Sequence, residues 1–271
     1  MPAERACRAE QPTDRADQPA GGERRREQAT SFGTAAGAYE RGRPPYPAEA
    51  IDWLLPPGAA RVLDLGAGTG KLTRALLGRG LDVAAVEPLA GMRDELARAV
   101  PGAAVRAGTA EHIPLPDGSV DAVLVAQAWH WVDPARAVPE VARVLAPGGQ
   151  LGLLWNVRDE RVAWVAELSR ILADPGDAGP ASRPGVTSLR GITSPPFGPL
   201  ERHTVDWVHR LTRHQLADMV ASRSYIITMP AAQRDRVLAE VARLADTHPA
   251  LAGHRELALP YRTECFRTRL G

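Results

Sequence analysis

Short apolar runs and helical patterns alternate through the middle of the chain. Apolar runs rich in Val, Leu and Ala predict buried β-strands at residues 61–65, 82–87, 104–107, 120–126 and 150–155. Apolar residues at helical spacing predict helices at 71–77, 92–100 and 134–145, and Pro147-Gly148-Gly149 predicts a turn before the fifth strand. Repeated strand–helix–strand units imply a parallel sheet with right-handed crossovers and helices on both faces.

The pattern changes on both sides of this segment. A short helix is predicted at residues 48–55 and ends at Pro56-Pro57-Gly58. Later in the chain, helical patterns are found at 163–173, 214–224 and 231–247, strand-like alternation at 201–210 and 256–267, and a Pro/Gly/Ser-rich stretch that is expected to loop at 174–199. The first 30 residues hold almost no large hydrophobic side chains, so they are expected to be disordered.

These elements divide the chain into four parts. They are a disordered tail at 1–30, a segment with the first helix at 31–57, the alternating core at 58–158, and the remaining strands with a helical cap at 159–271. The predicted fold class is α/β, with a doubly wound, Rossmann-like and mostly parallel seven-stranded sheet whose last strand is antiparallel.

Composition narrows the class of protein. Hydrophobic residues make up 44% of the chain, which is enough for a packed core, and the formal net charge of +1 argues against a strongly basic nucleic-acid-binding face. Two cysteines are too few for a disulfide framework or a four-ligand zinc site, so no metal is expected. No apolar run has the length of a membrane span or the form of a secretory signal. We therefore expect a cytoplasmic protein with no nucleic-acid or membrane partner.

The strongest local signal is the stretch Asp64-Leu65-Gly66-Ala67-Gly68-Thr69-Gly70, where the first predicted strand gives way to a helix. Glycines let a backbone turn sharply and approach a ligand closely, and open α/β sheets bind ligands at the carboxyl ends of their strands. The spacing is G-x-G-x-G, which differs from the dinucleotide fingerprint and from the phosphate-binding P-loop. Glu87, at the end of the second strand, is placed to accept hydrogen bonds from a ribose diol, although a solvated strand-end residue is the simpler alternative.

Four stretches of the chain resemble successive motifs of the class I S-adenosylmethionine-dependent methyltransferases. They are VLDLGAGTG, AVEP, GTAEHIPLPDGSVDAVLVAQAWHWVD and EVARVLAPGGQL. The resemblance is strongest to the group that includes ubiquinone/menaquinone-biosynthesis and trans-aconitate methyltransferases, and it covers about residues 32–156. It implies that S-adenosyl-L-methionine is the cofactor and that a small molecule is methylated.

The resemblance also implies a set of cofactor-binding residues. These are Asp64, Gly66, Ala67, Gly68, Thr69, Gly70, Glu87, Pro88, Met92, Thr109, Ala110, Glu111, Gln127, Ala128, Tyr39 and Arg43. Glu87 would hold the ribose diol, and Pro88 and Met92 would lie near the adenine. Many relatives have Asp in place of Thr109, so backbone groups of Ala110 and Glu111 are expected to serve the adenine edge here. In relatives with a similar YxxxRPxYP stretch, the segment that holds Tyr39 and Arg43 folds over the cofactor as a lid.

The acceptor is expected near the residues that follow the fourth strand. His130 is a candidate general base, and the alternative is a structural histidine packed against indoles. The expected acceptor contacts are Trp129, Trp131, Trp155, Asn156, Tyr46 and Tyr225. For Trp129 and Trp131 the alternative is a place in the core, and one in the pocket with one in the core is favoured. Arg43 is expected either to pair with a carboxylate of the cofactor or acceptor, or to be a surface residue. A carboxylate or a hydroxyl is the expected acceptor group, and the resemblance leaves phenols, ring carbons and amines open as alternatives. The sequence predicts no oligomeric state.

Three other functions share part of this pattern. A nicotinamide dehydrogenase has the same topology but a different glycine spacing. An S-adenosylmethionine-binding enzyme with non-methyl chemistry, such as cyclisation, would carry the same motifs. A catalytically silent binding protein would also keep the fold. Transfer of a labelled methyl group separates the methyltransferase interpretation from all three.

Overall fold

The computed structural model describes residues 43–173, 189, 192, 195–227 and 229–271. The strands are β1 (Arg61–Leu65), β2 (Asp82–Val86), β3 (Ala104–Arg106), β4 (Val120–Ala126), β5 (Leu145–Arg158), β6 (Glu201–Thr212) and β7 (Glu256–Arg269). They form one sheet in the order β3-β2-β1-β4-β5-β7-β6, and β7 is antiparallel to both β5 and β6 while the other pairs are parallel. The predicted fold class is confirmed, including the antiparallel last strand.

The helices are α1 (Ala48–Leu54), α2 (Lys71–Leu77), α3 (Ala90–Ala99), α4 (Pro134–Val144), α5 (Ala163–Ile171), α6 (Arg213–Ala221), α7 (Ser224–Ile227) and α8 (Ala231–Thr247). Local signals set two of the starts. Asp133 accepts a hydrogen bond from the Ala135 N–H before α4, and Thr212 and Gln215 form a reciprocal capping box before α6. In the described part of the chain, no helix combines the length and apolar character that a membrane crossing requires.

Two apolar layers cover the two faces of the sheet. Alternate residues of a strand point to opposite faces, so Val123 and Val125 of β4 pack toward α4, whereas Ala122 and Leu124 join the layer that contains α1 and α2. Both layers are buried, which explains why β4 is apolar along almost its whole length.

The β6–β7 pair is longer than the sheet beside it. The last pairing of β5 with β7 joins Arg158 to Tyr261, and β6 and β7 continue together as far as the pair Thr212–Glu256. We call residues 208–212 of β6 and 256–260 of β7 the β6–β7 extension. It projects beyond the carboxyl end of β5, and a separate apolar cluster joins it to α5, α6 and α8. The later segments therefore build a cap on the edge of the sheet where α/β proteins bind ligands.

One local prediction is wrong, and one short element was not predicted. The expected turn at Pro147-Gly148-Gly149 lies inside β5, because β5 begins at Leu145 and its register with β4 shifts between Val120 and Ala122. Gly148 has φ +73°, so this irregularity is a bulge in a continuous strand. A short 3-10 helix at Trp129–Trp131 follows β4, in a stretch for which no element was predicted.

Candidate functional site

The glycine loop crosses the carboxyl ends of β1 and β2. The backbone N–H groups of Gly66 and Ala67 both donate to the carbonyl of Val86, at 2.8 and 3.1 Å. A Cβ on Gly66 would lie 2.7 Å from the Cβ of Ala128, and Gly66 has φ +73°. Gly68 also has positive φ, but no atom lies within 4 Å of its Cβ position. The loop is therefore packed at one glycine and open at the next, which leaves bare backbone for a ligand to approach.

Glu87 is buried at the end of β2 and holds the loop from the other side. Its Oε2 accepts from the Gly68 N–H at 2.9 Å, and its Oε1 accepts from the Leu89 N–H at 2.9 Å. Burial raises the pKa of this carboxyl, and the two backbone hydrogen bonds act in the opposite direction. The structure thus places a desolvated carboxylate directly beside the open glycine, as a ribose-binding acid requires.

Asp64, at the end of β1, lies fully buried behind the loop. Its Oδ2 accepts from Thr73 Oγ1 at 2.6 Å, and its Oδ1 has no hydrogen-bond partner among the described residues. Burial raises the pKa of Asp64 to about 7, the bond from Thr73 lowers it, and the nearby charge of Glu87 raises it further. This side of the site therefore concentrates negative charge in a place that a cation would relieve.

The expected adenine-side residues lie on both sides of β3. Met92 and Ala110 are buried, Pro88 and Thr109 are exposed, and Thr109 forms a two-way backbone bridge with His112. The carboxylate of Glu111 is already engaged, because its Oε1 accepts from the Asp133 N–H at 2.8 Å. This bond leaves the backbone groups of Ala110 and Glu111, rather than the Glu111 side chain, for contact with a ligand.

Gln127, directly after β4, adopts an unusual backbone conformation. It is the only non-glycine residue with positive φ (59°) in the described part of the chain. Its N–H donates to the Leu154 carbonyl, and its side-chain amide donates to the Asn156 carbonyl at 3.3 Å. Left-handed strain at a non-glycine residue is found preferentially at functional sites, and here it lies between the glycine loop and β5.

The tryptophans are divided between core and surface. Trp129 and Trp155 are each 1% exposed and belong to the apolar layer on the α4 face, where Trp155 packs edge-on against Phe266. Trp131 is 39% exposed, and its ring lies 4.8 Å from that of the partly buried His130. Trp155 and Asn156 were expected in one crevice, but neighbouring residues of a strand face opposite sides, so the structure separates them.

Asn156 instead joins a chain of hydrogen bonds on the other face of the sheet. Its side-chain amide donates to the Pro45 carbonyl at 2.9 Å, and its Oδ1 accepts from Thr263 Oγ1 at 2.6 Å. Trp207 Nε1 donates to the same Thr263 hydroxyl at 2.8 Å. This network fixes the segment before α1 against β5 and the base of the β6–β7 extension.

The remaining predicted residues are Tyr46, Arg43, Tyr225 and Tyr39. Tyr46 packs against the α1–α2 layer, and Arg43 is partly buried at the start of the described chain. Tyr225, in the cap, donates its hydroxyl to the Leu172 carbonyl at 2.6 Å. Tyr39 lies outside the described residues.

A second group of side chains was missed by the sequence reasoning. Arg158, Tyr261 and Trp207 are directly opposite one another on β5, β7 and β6, and the Tyr261 and Trp207 rings stack with centroids 5.3 Å apart. His209 follows two residues later on the same face of β6. Its pKa is lowered by burial and by the charge of Lys71, which begins α2 beside the glycine loop. Only the strand register brings these residues together, and the sequence carries no local signal for it.

Comparison with known proteins agrees with this geometry. A family model described as a methyltransferase domain matches residues 63–153. An uncharacterized methyltransferase of Mycobacterium tuberculosis (strain H37Rv) is 60% identical over 91% of this chain and 98% of its own length. An uncharacterized methyltransferase-like protein of Schizosaccharomyces pombe is 36% identical over 87% of this chain and 94% of its own length.

Solved structures show the same architecture. A protein from Anaeromyxobacter dehalogenans, provisionally assigned as a type II methyltransferase, superposes with a TM-score of 0.62 at 26% identity. The superposition covers 84% of this chain and 98% of that protein. The likeness therefore extends past the matched domain into the cap.

Proposed function

The chain belongs to the class I S-adenosylmethionine-dependent methyltransferases, and from that premise we propose that it methylates a small molecule bound beneath the β6–β7 extension. The observation that carries this proposal is the β6–β7 extension, which projects beyond the carboxyl end of β5 and is held there by the helices of the cap. The charge of Lys71, at the start of α2 beside the glycine loop, contributes to the lowered pKa of His209 in this extension. The extension therefore reaches back toward the cofactor side. An acceptor space bounded in this way suits a small molecule better than a macromolecule.

The residues of the glycine loop and the end of β2 fit the cofactor. Glu87 offers a buried carboxylate for the ribose hydroxyls, and Gly68 leaves room for close approach. Asp64, whose Oδ1 has no hydrogen-bond partner among the described residues, places a second acid group behind the loop, on the side where a cationic methionine portion is favoured. When bound, S-adenosylmethionine supplies a methyl group that is already activated for transfer by the positive charge on its sulfur.

The protein's own contribution is mainly positional. Holding the acceptor in line with the methyl group and excluding water can lower the barrier by about 7–11 kcal/mol. The Asn156–Thr263–Trp207 network gives the acceptor side a rigid floor, because each of its polar side chains has a hydrogen-bond partner. Rigid support of this kind is what precise positioning requires.

His130 is proposed as a general base for an acceptor that must lose a proton. It is partly buried beside Trp131 at the end of β4, next to the strained Gln127. A positioned base contributes about 10²–10⁴-fold to the rate when the acceptor is a hydroxyl. An acceptor that is already anionic does not need this assistance.

Cofactor binding is tested first by calorimetry with S-adenosylmethionine and S-adenosylhomocysteine. We expect the folded wild type to bind both, and Glu87→Gln to bind at least about tenfold more weakly because the ribose loses a charged acceptor. Glu95→Gln is the matched control, since Glu95 pairs with Arg98 on α3. Equal binding by wild type and Glu87→Gln would contradict the site assignment.

The class of acceptor is tested with methyl-labelled cofactor and a cell extract divided by size. We expect label in the small-molecule fraction. Label confined to the protein or nucleic-acid fraction would overturn the small-molecule proposal. Cofactor binding with no label transferred to any fraction would favour the silent or non-methyl alternatives.

A further inference from the structure

Two arginines of the acceptor region, Arg158 and Arg223, have unusual contacts for their type. Arg158, at the end of β5, donates from Nε to Ser169 Oγ on α5 at 3.0 Å. Arg223, between α6 and α7, places its guanidinium carbon 6.0 Å from the ring centroid of Tyr225. Within the described ranges, neither arginine forms an ion pair with a carboxylate.

The two charges repel one another in a partly desolvated space. Burial and the charges of Arg158 and Arg43 lower the pKa of Arg223 to about 10. A guanidinium group is one of the most stable cations in proteins, and its desolvation without a counter-ion is unfavourable. Several buried or partly buried positive charges at one place are typical of a site that binds an anion.

Arginines of the neighbouring strands β6 and β7 behave differently. Arg262 follows Tyr261 on β7 but faces the opposite side, where its Nε donates to Asp206 at 3.1 Å. Arg202 pairs with Glu264, and Arg267 pairs with Glu201. Ion pairs with acids are thus found at these three arginines of β6 and β7, and among the described residues Arg158 and Arg223 form none.

A stacked aromatic pair, made of the buried Tyr261 and the partly buried Trp207, lies beside Arg158. Tyr261 is directly opposite Arg158 in the β5–β7 register, and it stacks on Trp207 at an interplanar angle of 21°. The indole N–H of Trp207 is already used by Thr263, so the ring orientation is fixed. A cationic pair next to a fixed aromatic pair matches a ligand with an anionic end and an apolar or planar body.

We propose that the methyl acceptor carries an oxyanion, a carboxylate or a phosphate, which Arg158 and Arg223 bind beside the stacked Trp207 and Tyr261. This inference rests on the proposed function, because it names the acceptor class of the same site. Arg43 adds positive charge at the edge of the cluster. The two arginines act in binding and orientation.

The test uses benzoate and its neutral isostere benzamide, titrated into the protein saturated with S-adenosylhomocysteine. We expect benzoate to bind at least about tenfold more tightly than benzamide, because a charge-assisted hydrogen-bonded pair is formed only with the anion. Arg158→Gln and Arg223→Gln should each remove most of this preference. Arg158→Lys and Arg223→Lys should keep part of it, since the charge remains but the bidentate geometry is lost.

Arg262→Gln is the matched control, because it removes the same charge from the opposite face of β7. It should leave the benzoate preference unchanged. Phenyl phosphate as a third probe distinguishes the two oxyanions, and tighter binding than benzoate would identify the anion as a phosphate. Equal affinity for benzoate and benzamide, no binding of either, or a preference retained in both glutamine variants would overturn the proposal.

The saturating S-adenosylhomocysteine separates this inference from the proposed function. Loss of S-adenosylhomocysteine binding by the wild type would contradict the proposed function itself. Normal S-adenosylhomocysteine binding with no anion preference would contradict only the acceptor class. Because each arginine variant is loaded with the same ligand, its retained affinity also shows that it is folded.

Discussion

The proposed cofactor side and the proposed acceptor side are built in opposite ways. The side formed by β1, β2 and the glycine loop uses bare backbone and two buried carboxyl groups within 24 residues of sequence, from Asp64 to Glu87. The side formed by β5, the β6–β7 extension and the cap uses arginines and aromatic rings from segments far apart in the chain. The first arrangement suits a cofactor shared by a whole family, and the second allows the acceptor to change through single side chains.

The two sides also differ in the sign of the charge that they bury. Burial raises the pKa values of Asp64 and Glu87 on the cofactor side, and burial lowers the pKa of Arg223 on the acceptor side. Each shift reports a charge that would be stabilised by a ligand of the opposite sign. A cationic cofactor and an anionic acceptor would relieve both sides together.

The largest effect is expected from a side chain at Gly66. Gly66→Ala places a Cβ at 2.7 Å from the Ala128 Cβ in a backbone conformation with φ +73°. We expect unfolding free energy to fall by about 2–5 kcal/mol, from left-handed strain and overpacking together. Cofactor affinity, measured by calorimetry, should fall at least about 100-fold because the loop is displaced from its ligand-binding position.

Gly118→Ala is the control for the backbone conformation alone. Gly118 has φ +61°, and no atom lies within 4 Å of its Cβ position. It should lose only about 1–2 kcal/mol and bind the cofactor normally. Ala128→Gly in the Gly66→Ala background should restore part of the binding, since it removes the contact. Wild-type cofactor affinity in Gly66→Ala alone would contradict the prediction, because it would show that the loop tolerates a side chain at this position.

A smaller effect is expected from the buried carboxyl of Asp64. Its pKa is about 7 in the folded chain against an ordinary 3.8, so folding favours its protonated form. The contribution of this carboxyl to the unfolding free energy of the wild type is therefore fully present below pH 3.8, and it is lost as pH rises toward 7. Asp64→Asn removes this loss. As pH rises from about 5 to 8, the unfolding free energy of the variant, measured by urea unfolding, should therefore increase by about 2–3 kcal/mol relative to that of the wild type.

Asp121→Asn is the control of opposite sign. Hydrogen bonds from the side chain and backbone of Arg61 lower the pKa of Asp121 to about 2. Its carboxylate is already ionised throughout the same pH range, so the variant should be less stable than wild type by a constant amount. A difference between Asp64→Asn and wild type that does not change with pH would mean that Asp64 is ionised in the folded protein without cost.

Much of the fold and the cofactor side follows from sequence for a physical reason. The predicted strands at 61–65 and 120–126 and the predicted helices at 71–77 and 231–247 have the observed bounds, because burial on both faces or on one stripe leaves a local periodic pattern. The glycine loop also has a local origin, since Gly66 and Gly68 adopt positive φ in a turn only a few residues long.

The acceptor side does not follow from sequence because its parts meet only through register. Trp207 and Tyr261 are 54 residues apart, and their stacking depends on the β6–β7 pairing being in this register and no other. Arg223 has no pattern of its own, and its proximity to Arg158 depends on how the cap packs. Trp155 illustrates the converse, because its position at a strand end suggested the crevice while strand alternation places it in the core.

The smallest effect is expected at Gln127, where the two sides meet. Its backbone has φ 59°, its N–H is bonded to Leu154, and its side chain reaches the Asn156 carbonyl. Gln127→Gly relieves the left-handed strain, whereas Gln127→Ala keeps that strain and removes the same side-chain bond. Urea unfolding should therefore show the glycine variant more stable than the alanine variant by about 1 kcal/mol, despite the greater chain entropy of glycine. Equal stabilities would mean that the conformation costs nothing, and the strain would then be no sign of function. If the strain serves to aim the Gln127 side chain between the cofactor and the acceptor, both variants should lose methyl transfer while binding S-adenosylhomocysteine normally. The reason is that both lack the side chain that the strained backbone directs.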